Sequence, residues 1–235
     1  MEAPILAEAV AAHGLMLRGG FHPDAGDGVP PLGDGRPAGT VILVGNAGPA
    51  MWRAFTEARI TGPHPLDRWT RRILADIARA HGAMPLFPFD GPPYLPFQRW
   101  AMRAEPVASS PLGMLIHPDY GLWHAYRGAL SFAERLALPP PDRRPSPCES
   151  CADRPCLGTC PVGAFTMTGM TVGTGTGYDT AACRGHIARP AGADCMGEGC
   201  RARRACPIGQ AYRHAPDQAE FHMRAFLASR RRHTA

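Results

Sequence analysis

The chain has 235 residues, a formal net charge of +5 and 45% hydrophobic residues. Its 27 glycines and 26 prolines are roughly double the usual share, but 19% charged residues is too few for a mostly disordered chain, so we expect a loop-rich globular protein of one or two domains. All 25 basic residues are arginine, which excludes a Schiff-base lysine, a pyridoxal anchor and a Walker A lysine.

Residues 1–140 are predicted to alternate between helices and strands. The clearest helix covers residues 65–80, because Leu66, Trp69 and Ile73 recur at helical spacing and most of the arginines fall elsewhere. The run TVILVGN at 40–46 has the short apolar pattern of a buried strand. The other predicted elements are a helix at 3–12, a strand at 15–21, a mobile loop at 22–39, a helix from residue 49, a strand at 84–89, a helix at 97–105, and a hairpin of 114–117 with 122–130.

The run LPPPDRRPSP, residues 138–147, precedes all eight cysteines. Proline cannot continue a helix or a central strand, so we place a domain boundary here and predict domains at 1–140 and 141–235. A final helix is predicted over 216–232. The predicted fold class is α+β, with a mixed α/β domain followed by a small cysteine-rich domain.

The first ten residues, MEAPILAEAV, carry two acids and no basic residue, and no apolar run is long enough to span a membrane. We therefore expect a cytoplasmic protein with no membrane partner. In a reducing compartment, clustered cysteines are more often metal ligands than disulfides. Metal binding is thus the first hypothesis for the second half.

The first cysteine cluster has the spacing Cys148-x2-Cys151-x4-Cys156-x3-Cys160-Pro161. This is close to the bacterial ferredoxin run C-x2-C-x2-C-x3-C-P, with two extra residues before the third cysteine. The second cluster is Cys183, then Cys195-x4-Cys200-x5-Cys206-Pro207. Because CPVGAF at residue 160 is echoed by CPIGQAY at residue 206, the two clusters indicate a duplicated half-site.

In two-cluster ferredoxins the cysteine before the proline ligates the other cluster, so we predict a crossed arrangement of two 4Fe–4S centres. The ligands predicted for the first centre are Cys148, Cys151, Cys156 and Cys206. Those predicted for the second are Cys160, Cys183, Cys195 and Cys200. Structural zinc is the alternative, since zinc ribbons also use C-x2-C pairs, but the two Cys-Pro turns favour iron–sulfur.

Charge also separates the two halves. Residues 1–140 hold 12 arginines and 12 acids, whereas residues 141–235 hold 13 arginines and 8 acids. Two oxidised clusters with their thiolates would carry about −2 each, which roughly offsets this excess. We therefore expect no nucleic-acid partner.

The cysteine layout resembles the two-cluster half of epoxyqueuosine reductases and reductive dehalogenases. Those families join two 4Fe–4S centres to a cobalamin-binding, nitroreductase-like domain. The resemblance implies a truncated nitroreductase-like domain followed by a two-cluster ferredoxin-like domain. The acid that the epoxyqueuosine enzymes use for protonation has no match here, so no catalytic residue is predicted.

The segment MLIHPDYGLWHAYRGAL, residues 114–130, resembles the cobalamin-processing chaperone family. Members of that family bind base-off cobalamin and remove its upper ligand reductively, and the matching arginine, here Arg127, helps to bind the glutathione cosubstrate. The resemblance implies a corrinoid site that includes Arg127, His117, Trp123 and Tyr120. The chain lacks the D-x-H-x-x-G cobalamin motif.

Three functions follow from these patterns. The first is an iron–sulfur protein that passes electrons to a corrinoid held by its N-terminal domain. The second is a plain ferredoxin-type electron carrier with a docking domain. The third is a protein whose metal only stabilises a small domain. The first two require a redox partner protein, and a possible cobalamin ligand separates them.

Overall fold

The computed structural model describes residues 3–166 and 177–229. The chain forms two compact units, each made of two stretches of chain. The first unit consists of Met1–Val107 and His124–Arg144, and the second of Ala108–Trp123 and Pro145–Ala235. The predicted boundary at residue 140 differs from this division, because residues 108–123 group with the cysteines.

The helices and strands are numbered in chain order. The described helices are α1 (Ala3–Ala11), α2 (Ala50–Glu57), α3 (Pro65–Ala80), α4 (Phe97–Ala104), α5 (Pro155–Gly158), α6 (Thr180–Ile187), α7 (Ala193–Glu198), α8 (Arg201–Arg204) and α9 (Pro216–Ala228). The described strands are β1 (Met16–Phe21), β2 (Thr40–Ala47), β3 (Met84–Leu86), β4 (Ala108–Ser109), β5 (Leu115–Ile116) and β6 (His124–Phe132). In that part of the chain no helix is long and apolar enough to cross a membrane.

The first unit contains a four-stranded antiparallel sheet in the order β1-β2-β6-β3. Strand β2 is buried along most of its length, which explains its continuous apolar run. Helix α3 has the predicted bounds and buries Leu66, Trp69 and Ile73. The mixed α/β prediction is confirmed for this unit.

A charged group lies inside the first unit. Arg18 on β1 is fully buried, and its Nε and Nη2 donate to the two carboxylate oxygens of Glu105 at 2.8 and 2.7 Å. The hydroxyl of Tyr126 on β6 donates to the same carboxylate at 2.7 Å. Such a pair is tolerated in an interior because charge and hydrogen bonds are both satisfied.

One sequence prediction for this part of the chain holds and one is wrong. Segment 22–39 is largely irregular, as the loop prediction states, and it is anchored at Asp27, which is buried and whose carbonyl accepts the indole N–H of Trp100 at 2.8 Å. The expected hairpin of 114–117 with 122–130 is absent from the described residues: β5 pairs with β4, and β6 pairs with β2 and β3. Only an isolated bridge joins His117 to Gly121.

The second unit is built from short helices. Its buried cluster consists of Leu112, Ile116, Leu122, Cys156, Ala202 and Cys206. Helix α9 starts at Pro216 as predicted and is described to Ala228; the predicted basic end at 230–232 lies outside the described residues. With so few apolar side chains, cysteines make up part of the core itself.

Candidate metal centres in the second unit

The eight cysteines divide into two sets of four around two cavities. One cavity is lined by Cys148, Cys151, Cys156 and Cys206. The other is lined by Cys160, Cys183, Cys195 and Cys200. These are the same two sets that the crossed ferredoxin pattern predicts; that they bind metal stays a prediction. We call them the first and second cysteine sets.

Apolar side chains complete both cavities. The first is closed mainly by Pro111, Ile116, Pro147, Pro155, Pro207 and Ile208. The second is closed mainly by Pro161, Val162, Phe165, Ile187, Ala202 and Met223. Each set of thiols therefore borders a largely apolar cavity. The two cavities share none of their described lining residues.

The two Cys-Pro turns have the same local shape. Gly163 follows Cys160-Pro161-Val162 with φ +55°, and Gly209 follows Cys206-Pro207-Ile208 with φ +71°. Glycine adopts this left-handed backbone readily because it lacks a Cβ. The turn brings the following backbone back toward the cysteine. At the first turn, the backbone N–H of Ala164 donates to the Cys160 Sγ at 3.3 Å.

The HPDYG turn packs against the second of these turns. A Cβ on Gly209 would lie 2.2 Å from the carbonyl oxygen of Tyr120, and one on Gly121 would lie 2.1 Å from that of Ile208. Real Cβ atoms do not approach this closely. Both glycines are therefore required for backbone contact between residues 117–121 and the Cys206 turn.

Burial raises the pKa of five of the thiols, and the thiols of the same set raise it further in most cases. The five are Cys148, Cys156, Cys195, Cys200 and Cys206. A buried thiolate is costly unless a cation compensates its charge. The donor type therefore fits a soft, thiolate-bound metal group, whose binding would release protons.

The thiols of each set line one cavity. Within residues 3–166 and 177–229, no group of three or more His, Cys, Asp or Glu is arranged to hold a metal ion.

Arg127, predicted as a corrinoid ligand, lies in the first unit on β6. Its Nη2 donates to Asp67 at 3.0 Å and to the Thr70 hydroxyl at 3.3 Å, and only 13% of its side chain is exposed. Burial lowers the pKa of Arg127, and Asp67 opposes that shift. In this structure the guanidinium is committed to helix α3.

The other three predicted corrinoid residues lie in the second unit. The His117 Nδ1 accepts the backbone N–H of Asp119 at 3.0 Å, and its ring stacks on Tyr120 with centroids 4.3 Å apart. Trp123 is buried, with the Arg203 guanidinium 4.3 Å from its ring centroid. Arg127 thus belongs to the first unit and these three residues belong to the second.

Several residues of the cysteine region were not predicted. Arg203 holds residues 117–123 in place, because its Nε and Nη2 both donate to the Leu122 carbonyl, at 3.1 and 2.5 Å. Burial lowers the pKa of Arg203 to about 10. His186 lines the second cavity. Only His186 had a signal in the sequence, since it follows Cys183 by three positions and shares a helix face with it.

Comparison with known proteins identifies a fold. No family model and no curated protein matches the chain. Among solved structures, it is similar to the crystal structure of CblC, a B12-trafficking protein of C. elegans and a homologue of human MMACHC. The match has a TM-score of 0.50 and 12% identity, and covers 96% of this chain and 93% of that one. The chain therefore has the fold of that protein across nearly its whole length.

Proposed function

We propose that this chain is an iron–sulfur electron-transfer protein with two 4Fe–4S clusters in its second unit. The observation that carries the proposal is the division of eight cysteines into two sets of four around separate, largely apolar cavities. The first set would hold one cluster and the second set the other. Such a cluster, when bound, provides one-electron redox chemistry.

The residues around the cysteines support this role in three ways. The apolar lining keeps water away from the iron, where it would compete with the thiolates as a ligand. Backbone N–H groups such as that of Ala164 can donate to thiolate sulfur. Arginines among the cavity residues, Arg154 and Arg201, offset the negative charge of thiolate-bound iron.

The test is anaerobic reconstitution of the full chain with iron and sulfide. We expect about eight iron and eight acid-labile sulfide per chain, as two cubane clusters require. Stoichiometric zinc without sulfide would instead establish the structural-metal alternative. The thiols must remain reduced for cluster assembly, so we place the protein in the cytoplasm, together with a redox partner protein that supplies electrons.

Cysteine variants test the crossed ligand sets. Cys206→Ser should disturb the same centre as Cys148→Ser, although 58 positions separate the two residues. Cys200→Ser should disturb the other centre. If the paramagnetic spectrum of Cys206→Ser matches that of Cys200→Ser and differs from that of Cys148→Ser, the assignment is wrong.

A second function, corrinoid binding linked to the clusters, is favoured by the likeness to a B12-trafficking protein. We propose that the chain binds a corrinoid and that the clusters supply the electrons for its reduction. Titration of cobalamin into the protein, followed by visible absorption, should show the spectral change expected when the lower base leaves cobalt. If no cobalamin binds at high micromolar protein, the remaining function is that of a plain ferredoxin-type electron carrier.

Arg127 is the residue to test for corrinoid binding in the first unit, and His117, Tyr120 and Trp123 are separate proposals in the second. A ligand amide or carboxylate would compete with Asp67 for its guanidinium. Arg127→Ala should therefore weaken binding by about 1.5 to 3 kcal/mol. Asp67→Asn is the matched control: it weakens the internal ion pair and should leave binding equal or tighter.

A further inference from the structure

The strongest unexplained group of the second unit is the imidazole of His186. It lies on α6 three positions after Cys183, and both residues line the second cavity. Its Nε2 is buried and has no hydrogen-bond partner among the described residues. Leaving a buried polar atom without a hydrogen bond is costly, so this nitrogen needs a partner that the described protein atoms of the cavity do not supply.

The other polar, non-thiol side chain of the described lining is already engaged. Arg201 directs its Nε and Nη2 to Asp194 at 2.6 and 2.9 Å. The remainder of the lining is thiol and apolar, so the free side of the cavity is where the His186 nitrogen would find its partner.

We infer that His186 donates a hydrogen bond from Nε2 to the cluster held by the second cysteine set and makes that centre the more easily reduced of the two. This inference rests on the proposed function. Sulfide and thiolate sulfur are acceptors only, so the imidazole must carry its hydrogen on Nε2. A donor to sulfur stabilises the reduced form, which has one more negative charge, and therefore raises the reduction potential.

The first cavity offers no equivalent group. Its described lining residues include no histidine, and Arg154 is their only charged side chain. The two described linings thus share thiols and apolar surroundings, and of the two only the second contains an imidazole. His186 acts here as a positioning residue for charge, not as a metal ligand.

The experiment is a redox titration of the anaerobically reconstituted full chain, followed by paramagnetic resonance. The Cys206→Ser variant disturbs the first centre, so the signal that it leaves unchanged belongs to the second. His186→Leu should lower the reduction potential of that centre by about 59 mV, which is a tenfold change in a one-electron reduction equilibrium. The potential of the first centre should stay unchanged. His186→Gln, which keeps an N–H donor, should recover most of the shift.

His222→Leu is the matched control, because His222 lies on α9 and lines neither cavity. A full iron content in His186→Leu with an unchanged potential would overturn the inference and leave the proposed function intact. Loss of four iron in both His186→Leu and His186→Gln would also overturn it, since the imidazole would then be a ligand. If the wild-type chain binds no iron and sulfide, it is the proposed function that fails.

Discussion

The two units bury different kinds of side chain. The first encloses large apolar residues, including Trp69, Trp100 and Phe132, between its sheet and helices. In the second, two of the six residues in the buried cluster are cysteines, and other cysteines pack against it. A large apolar core stabilises a fold through burial alone, whereas buried thiols contribute most once they bind a cation. We therefore predict that the first unit is stable by itself and that the stability of the second depends on a bound metal group.

The largest expected effect is the loss of metal. Chelation of the reconstituted protein, or oxidation of its proposed clusters in air, should unfold the second unit while the first stays folded, because the described core of the second contains the proposed metal ligands. Limited proteolysis of the metal-free protein should cut within 145–229 and spare 3–107. Equal protection of both regions would contradict the comparison.

Much of the first unit could be predicted because its signals are local. The period of Leu66, Trp69 and Ile73 already marks the buried face of α3. The division of the cysteines was also accessible, since a Cys-Pro turn directs its thiol away from the neighbouring cysteines. Whether those thiols bind clusters remains a prediction.

The missed features depend on contacts between residues far apart in the chain. HPDYG has the composition of a hairpin turn, but its backbone is held against Ile208 and Gly209, nearly 90 positions later. Arg127 is predicted from the sequence as a ligand-binding residue, and the structure adds an ion pair with Asp67 on α3 that the sequence does not indicate. No local pattern reveals either partner.

The next effect should be confined to the first unit. Glu105→Gln leaves Arg18 charged and fully buried without its counterion, so the free energy of unfolding should fall by about 3 kcal/mol or more. Asp90→Asn is the control, because it removes the exposed ion pair with Arg71, which is worth at most about 1 kcal/mol. Denaturant titration measures both. A large loss of iron in Glu105→Gln would contradict the prediction that the two units are stabilised independently.

A smaller effect should distinguish the two Cys-Pro turns. Gly163→Ala places a Cβ in open space, so its only penalty is that of a left-handed backbone for a non-glycine residue. This should lower the free energy of unfolding by about 1–2 kcal/mol. Gly209→Ala adds a clash with the Tyr120 carbonyl and should cost more, with loss of the first centre's four iron. Iron analysis and thermal unfolding of the two variants test this. Equal effects would mean that the HPDYG contact contributes nothing.

The smallest effect is a pH dependence in the second unit. Burial, together with the charges of Arg203 and His222, lowers the pKa of His214 to about 2. The unfolded side chain titrates near 6.5, so the unfolded state alone binds a proton between these values. The stability that depends on neutral His214 is therefore complete above about pH 6.5 and falls as the pH drops toward 2, by at most about 1.4 kcal/mol per pH unit.

The variant His214→Phe isolates this contribution, because the T-shaped contact with Trp123 can be kept by another ring. The difference in unfolding free energy between wild type and variant, measured from pH 7 to pH 5, cancels the titration of the other groups, including the cluster ligands. We expect the variant to lose less stability over that range. Parallel curves would show that His214 takes up its proton as readily in the folded protein as in the unfolded one.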